Sequence, residues 1–135
     1  MTPQEYRRRR QALLAKMAPA SAALIFAAPE APRSADSEYP YRQNSDFWYF
    51  TGFNEPEAVL LLIKSDENHN HSVLFNRVRD KNAEIWFGRR LGQDAAPDAL
   101  GVDRALAFSE IDEQLYQLLN GLDVVYHAQG EYGYA

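Results

Sequence analysis

The stretch AVLLLIKSDENHNHSVLFN, residues 58–76, decides the fold class. Two continuous apolar runs, 58–63 and 71–76, flank the polar cluster KSDENHN, whose Ser, Asp and Asn side chains bond their own backbone and turn the chain. Unbroken apolar runs of this length describe strands covered on both faces, since a strand half open to water would alternate. Two of them joined by a short polar turn pair as an antiparallel hairpin.

Working outward, residues 22–27 (AALIFA) give another short apolar run, closed by Pro29, and read as a strand buried on both faces. Ahead of it lies a helix ending near Met17, with Thr2 as cap, Pro3 at its first position and Glu5 completing a T-x-x-E capping box. Downstream, residues 80–88 form a short helix capped by Asp80 and ended by Gly88, and residues 94–100 form a second. Residues 105–108 add a brief strand. Residues 109–120 read as an amphipathic helix with Ser109 as cap, Ile111, Leu115, Leu118 and Leu119 along one face, and Gly121 as its end. Residues 123–127 return as a strand. Helices interleaved with apolar strands make an α/β layer fold, and the hairpin makes its β-sheet mixed, flanked by helices.

Residues 28–57 form a connection of about 30 residues without clear periodicity, which in a compact domain points to function. Within it, YPYRQNSDFWYFTGFNEP (39–56) carries seven of the chain's aromatic side chains in no helical or strand rhythm. Large rings in one segment serve the domain's own core and also surfaces that meet another chain. Phe47, Tyr49, Phe50 and Phe53 are assigned to the core. Tyr39, Tyr41, Arg42 and Trp48 are assigned to contact with another domain or subunit. Asn44, Ser45 and Asp46 read as groups that bond the backbone and turn the chain.

The chain has 135 residues, enough for one domain with one core, and a net charge of -5. An acidic balance argues against nucleic acid as a partner, because phosphate binding needs a clustered basic surface. The run Arg7–Arg10 is the basic stretch to weigh, and it reads as a solvated helix face pointing in four directions about 100° apart. Without cysteine there is neither a disulfide framework nor a thiolate metal site. With no apolar span and no cleaved leader in view, the composition fits a cytoplasmic protein that does not enter a membrane. The stop at GEYGYA, soon after a strand, fits an excised domain.

Chemistry is sparse. The three histidines, His69, His71 and His127, show no metalloprotease spacing, and His69 and His71 read as exposed turn residues. There is no G-x-S-x-G elbow and no glycine-rich phosphate loop. The pairs Asp36/Glu38 and Glu55/Glu57 suit an acidic loop better than paired-acid catalysis, which draws its carboxylates from separate elements. No complete active site and no metal site is expected.

The run YPYRQNSDFWYFTGFNEPEAVLLL, together with RSADSEYPYRQ, HSVLFNRVRDKNAEIWFGRRLGQDAAP and LNGLDVVYHAQGEY, resembles the N-terminal domain of the aminopeptidase P (Xaa-Pro aminopeptidase) family, close to its enterobacterial members. The resemblance covers essentially the whole chain. It implies a creatinase-like α/β domain with a ribonuclease H-like motif, joined in the parent enzyme to a C-terminal "pita-bread" domain. That second domain holds two manganese ions through two Asp, one His and two Glu, and removes the first residue of peptides whose second residue is proline by metal-assisted hydrolysis. None of those ligands lies in this chain, so the chain alone is expected to be inactive and to carry no cofactor. The implied partners are its own catalytic domain, other copies in a homo-oligomer, and Xaa-Pro peptides as substrates.

Under the same resemblance Asp36 stands near the entrance of the catalytic centre, where it reads either as a solvated loop acid or as a group that holds a substrate amine or an arginine of the other domain. Trp86, in EIWFGRR, diverges from its helical neighbours by about 100°, so it and Phe87 cannot both point inward. Phe87 or Ile85 is expected to face the core, and Trp86 to project toward a substrate pocket of a neighbouring subunit. Three other readings compete: a protein-interaction module without a link to catalysis, a ribonuclease-H-like nucleic-acid binder suggested by fold analogy alone, and the equivalent domain of a prolidase or creatinase relative.

Overall fold

The computed structural model describes residues 2–29 and 42–127. The candidates Asp36, Tyr39 and Tyr41, and the GEYGYA stretch, lie outside the described residues. Five strands, β1 (Ser21–Phe26), β2 (Val59–Asp66), β3 (His69–Asn76), β4 (Arg104–Ala107) and β5 (Val124–His127), form one sheet in the order β4-β3-β2-β1-β5. β2 pairs antiparallel with β1 and β3, while β4 runs parallel to β3 and β5 parallel to β1. The sheet is therefore mixed, as the hairpin required.

That hairpin is tighter than its polar cluster suggests. Asp66 pairs with His69 across a turn of Glu67 and Asn68, with a bulge between Lys64 and Asp66, and the Asn68 N–H donates to Asp66 Oδ1 at 2.7 Å. Lys64 accordingly belongs to β2 and not to the turn. It is buried, and its Nζ donates to the carbonyls of Leu14 and Met17, each at 3.0 Å. Those oxygens belong to the end of helix α1 (Pro3–Lys16), where carbonyls have no partner inside the helix.

Side chains alternate across the strands, so each face of the sheet builds its own layer. Ala23, Ile25, Leu60, Leu62 and Leu74 pack with Leu14 of α1, Met17 at its C-cap, Phe47 of α2 (Ser45–Thr51) and Ala96 of α4 (Gly92–Leu100). Leu24, Leu61, Ile63, Val73 and Phe75 pack on the other face under Ile111, Leu115, Leu118 and Leu119 of α5 (Ile111–Leu119). Each fully buried Leu, Val or Phe contributes about 1.5–3 kcal/mol. The strands thus hold the two layers together from the middle.

Several local expectations fail for identifiable reasons. Thr2 sits at the N-cap of α1 but makes no side-chain capping bond; its carbonyl instead accepts the Glu5 N–H at 3.0 Å. α5 is entered through a 3-10 turn (Phe108–Glu110), which moves its N-cap from Ser109 to Glu110. The basic run is not wholly solvated either. Arg7 and Arg8 are exposed, but Arg10 is only 2% exposed. Four directions around a helix leave one facing the domain, and carbonyls of two other helices meet Arg10 there.

The aromatic connection also contains an element. Residues Ser45–Thr51 are helical: Asn44 Oδ1 accepts the Phe47 N–H at 3.0 Å, and Gly52, at φ +65°, ends the helix in the left-handed region. Gln43 clamps the two ends of the connection. Its Oε1 accepts the Ala28 N–H at 2.8 Å, and its Nε2 donates to the carbonyls of Phe53 and Glu55, each at 3.0 Å. Phe47 and Phe53 are buried and Phe50 packs beside them, whereas Tyr49, expected in the core, is half exposed, with Arg9 stacked over its ring at 4.2 Å.

Candidate functional site

β3 delivers the chain at Asn76 into a polar knot that positions helix α3 (Lys81–Phe87). Asn76 is fully buried and donates from Nδ2 to the Gly92 carbonyl at 3.0 Å, while Gln93 Nε2 donates to Asn76 Oδ1 at 2.7 Å. Gly92 takes φ +79°, and a Cβ there would stand 2.6 Å from Arg79 Cγ. Only glycine lets the arginine lie across this turn.

Two carboxylates organise the knot. Glu55 Oε1 accepts from Arg77 Nη2 at 3.1 Å, and its Oε2 accepts the Leu91 N–H at 2.9 Å. Both partners of the ion pair are largely buried, and Arg77 Nε is buried without a partner among the described residues. Glu84 Oε1 accepts the Arg90 N–H at 2.9 Å and Arg79 Nη2 at 3.1 Å, and its Oε2 accepts the Asp80 N–H at 3.0 Å. Asp80 in turn caps α3 by accepting the N–H groups of Asn82 and Ala83. Glu84 thereby closes both ends of its own helix. The Arg90 N–H is the main cause holding its carboxyl below the usual range, with burial opposing and Arg79 and the Asp80 N–H adding to the effect.

Anchored by Glu84, α3 presents Lys81, Asn82, Ile85 and Trp86 to solvent. Trp86 is 80% exposed and Ile85 76% exposed. Trp86 therefore projects, as expected, while Ile85 does not serve as the inward residue. Behind the helix, the chain from Phe53 to Glu55, the 89–91 segment and α4 enclose a cleft of about 560 Å³ with Arg79, Arg89 and Arg90 at its rim.

The remaining candidates are spread elsewhere. Trp48 is 44% exposed and meets the Tyr6 ring edge-on, centroids 6.4 Å apart. Arg42 is exposed at the start of the described part of the connection. Trp48 lies on α2 and Trp86 on α3, and the remaining candidates Asp36, Tyr39 and Tyr41 lie outside the described residues. Glu57 is exposed while Glu55 is committed to the knot, so that pair does not act as one unit. His69 Nδ1 lies 2.8 Å from both oxygens of Asp66, a bond that is the leading cause of the Asp66 carboxyl lying below its usual range. Among the described residues no group of three or more His, Asp or Glu could hold a metal ion, so no step of metal chemistry is assigned to them.

The arginine-rim cleft and its carboxylate anchors were not singled out in the sequence. A signal for them was present: Asp80 as cap with Glu84 four residues on, between Arg79 and the Arg89-Arg90 pair.

Residues 6–126 match the family described as aminopeptidase P, N-terminal domain. The chain is 86% identical over 132 residues to the Xaa-Pro aminopeptidase of Escherichia coli strain K12, spanning 98% of this chain and 30% of that protein. It is 44% identical to the Xaa-Pro aminopeptidase of Haemophilus influenzae, over 92% of this chain and 29% of that one. The solved structure of E. coli aminopeptidase P with the inhibitor Pro-Leu superposes with a TM-score of 0.94 at 84% identity, covering all of this chain and 31% of the other. The chain thus spans about a third of the length of these relatives. Fold, family match and identity agree, and the chain belongs to the aminopeptidase P N-terminal domain family.

Proposed function

We propose that this chain is the non-catalytic N-terminal domain of an Xaa-Pro aminopeptidase, working in the cytoplasm and serving oligomer assembly and substrate access. Hydrolysis would take place in a separate C-terminal domain, its natural partner, where two manganese ions would activate water. The observation that supports a role in access is Trp86, held 80% exposed on a helix whose own anchoring uses Glu84. An Xaa-Pro bond has no N–H to recognise, so selectivity leans on the shape and apolar faces of the proline ring, and an indole makes a suitable wall. Trp86 would supply that wall to the substrate pocket of a neighbouring subunit. Asp36 would stand near the same entrance, and Tyr39, Tyr41, Arg42 and Trp48 would contact the partner domain or subunit.

The test uses the full-length enzyme. Trp86→Ala should lower kcat/KM for an Arg-Pro-Pro peptide by about tenfold or more with an unchanged melting temperature, a loss of about 1.4 kcal/mol of transition-state binding. Asp36→Ala should likewise reduce kcat/KM more than it reduces melting temperature. Kinetics identical to wild type in Trp86→Ala would remove the access role.

A further inference from the structure

The cleft behind α3 combines an apolar floor with a rim of three arginines, of which only Arg79 is paired with a carboxylate among the described residues. Phe53, Leu91 and Leu100 contribute the floor, and Arg79, Arg89 and Arg90 the rim. Every oxygen of the two organising carboxylates is already bonded: Glu55 to Arg77 and the Leu91 N–H, Glu84 to Arg79 and the N–H groups of Asp80 and Arg90. Arg79 is thereby paired. Among the described residues the Arg90 side chain bonds only a carbonyl, that of Val78 at 3.0 Å. Arg89 is exposed and makes no hydrogen bond or ion pair with any described residue. It also borders a second cleft of about 420 Å³ shared with Arg79, Lys81, Glu84 and Ile85, where Glu84 is already bonded to Arg79, so the Arg89 guanidinium, unpaired among the described residues, stands between two recesses. The nearby acids of α4, Asp94 and Asp98, are exposed and sit one position before the lining residues Ala95 and Ala99, about 100° away around the helix.

We infer that this cleft binds an acidic peptide segment of another polypeptide, its carboxylates meeting Arg89 and Arg90 and an apolar side chain entering between Phe53, Leu91 and Leu100. A guanidinium fork matches a carboxylate in two parallel bonds, and the apolar floor adds a preference that a simple anion would not satisfy. Nucleic acid fits less well. Its regular phosphates call for an extended basic track, whereas here three arginines line one cleft in a chain of net charge -5. The site is separate from the Trp86 reading and its test involves no catalysis.

The experiment measures fluorescence anisotropy of a short labelled peptide in which Glu and Asp flank two leucines. At low salt the wild-type chain should bind it saturably, with a Kd on the order of 10–100 µM, weakening about tenfold at physiological ionic strength. Arg89→Ala should weaken binding by about tenfold and Arg89→Glu further, with circular dichroism unchanged because Arg89 supports no internal bond. Replacing the peptide's acids by Gln and Asn, or its leucines by Ser, should each reduce affinity. Absence of saturable binding up to millimolar chain overturns the proposal, as does equal binding by Arg89→Glu, or tighter binding of a single-stranded oligonucleotide than of the peptide.

Discussion

Arg10 donates from Nη1 to the carbonyl oxygen of Phe50 at 2.8 Å, joining the buried side of α1 to the last turn of α2. Its Nη2 reaches the carbonyls of Leu100 and Gly101 at 3.0 and 2.9 Å, so one guanidinium satisfies the ends of two helices. Arg10→Ala should therefore lower unfolding free energy by about 3–5 kcal/mol, because three carbonyls lose a charged donor together. Arg10→Lys should recover only part of this, a single ammonium having no fork. Burial is the leading cause that lowers the Arg10 pKa to about 10, with Arg7 adding and Asp103 opposing. A base with a lowered folded pKa makes stability rise with pH only above that value. The urea-melt loss should accordingly be the same from about pH 5 to pH 9.

Glu84→Ala should free α3 without unfolding the sheet. Hydrogen exchange at the Asp80 and Arg90 amides is expected to accelerate at least tenfold, with protection of β2 unchanged, since both amides bond to that carboxylate. In the wild-type chain, an acid with a depressed folded pKa gives stabilisation that is present above the ordinary carboxylate range and lost as pH falls through its lowered value. The Arg90 amide shift should titrate with a midpoint below that of a free Glu; a midpoint at or above it would contradict this coupling.

Gly52→Ala tests the joint between α1 and α2. The residue takes φ +65°, and a Cβ would lie 2.5 Å from the Tyr6 ring. The left-handed backbone alone costs about 1–2 kcal/mol, and the ring clash should raise the total above 2 kcal/mol. In a Tyr6→Ala background the same substitution should cost only the backbone part, which a double-mutant cycle in denaturant would read directly.

Two aromatic residues should behave as opposites in the isolated chain. Phe47, with no exposed surface, is expected to lose about 3–5 kcal/mol on truncation to Ala, whereas Trp86→Ala should stay within about 0.5 kcal/mol of wild type. A thermal melt distinguishes them.

The purified chain should release no N-terminal Arg from an Arg-Pro-Pro peptide, with or without added manganese. Turnover at any rate above a heat-treated control would contradict the assignment of hydrolysis to a separate domain.

What the sequence made legible follows from how local each cause is. The hairpin was legible because apolar runs and a turn cluster are neighbours in the chain, and α5 because its apolar spacing repeats over several turns. α2 was hidden. It is one short helix in which aromatic residues face both core and solvent, and its cap Asn44 and stop Gly52 were the only local marks. The burial of Arg10 could not be read at all, since its partners stand 40 and 90 or more residues away. The rim cleft was partly legible in the same sense: the Asp80–Glu84 spacing is local, but Glu55 joins it from another segment, 36 residues ahead of Leu91. Trp86 is exposed as expected, yet the 100° divergence of helical neighbours did not reveal that Ile85 would be outward as well.

The placement of β5 carries a consequence for how the domain is made. β1 gains its first neighbour from β2 and its second from β5, pairing Ser21 with Val124 and Leu24 with His127. About one hundred residues separate those partners, a long loop to close before any bond repays it. On the ribosome, β1 to β3 are free to pair while one flank of β1 stays bare until the last strand has left the exit tunnel. Until then that flank is an open template for another nascent chain. Slowing elongation beyond β5 should therefore raise the yield of folded domain, while stalling just before Val124 should favour aggregation.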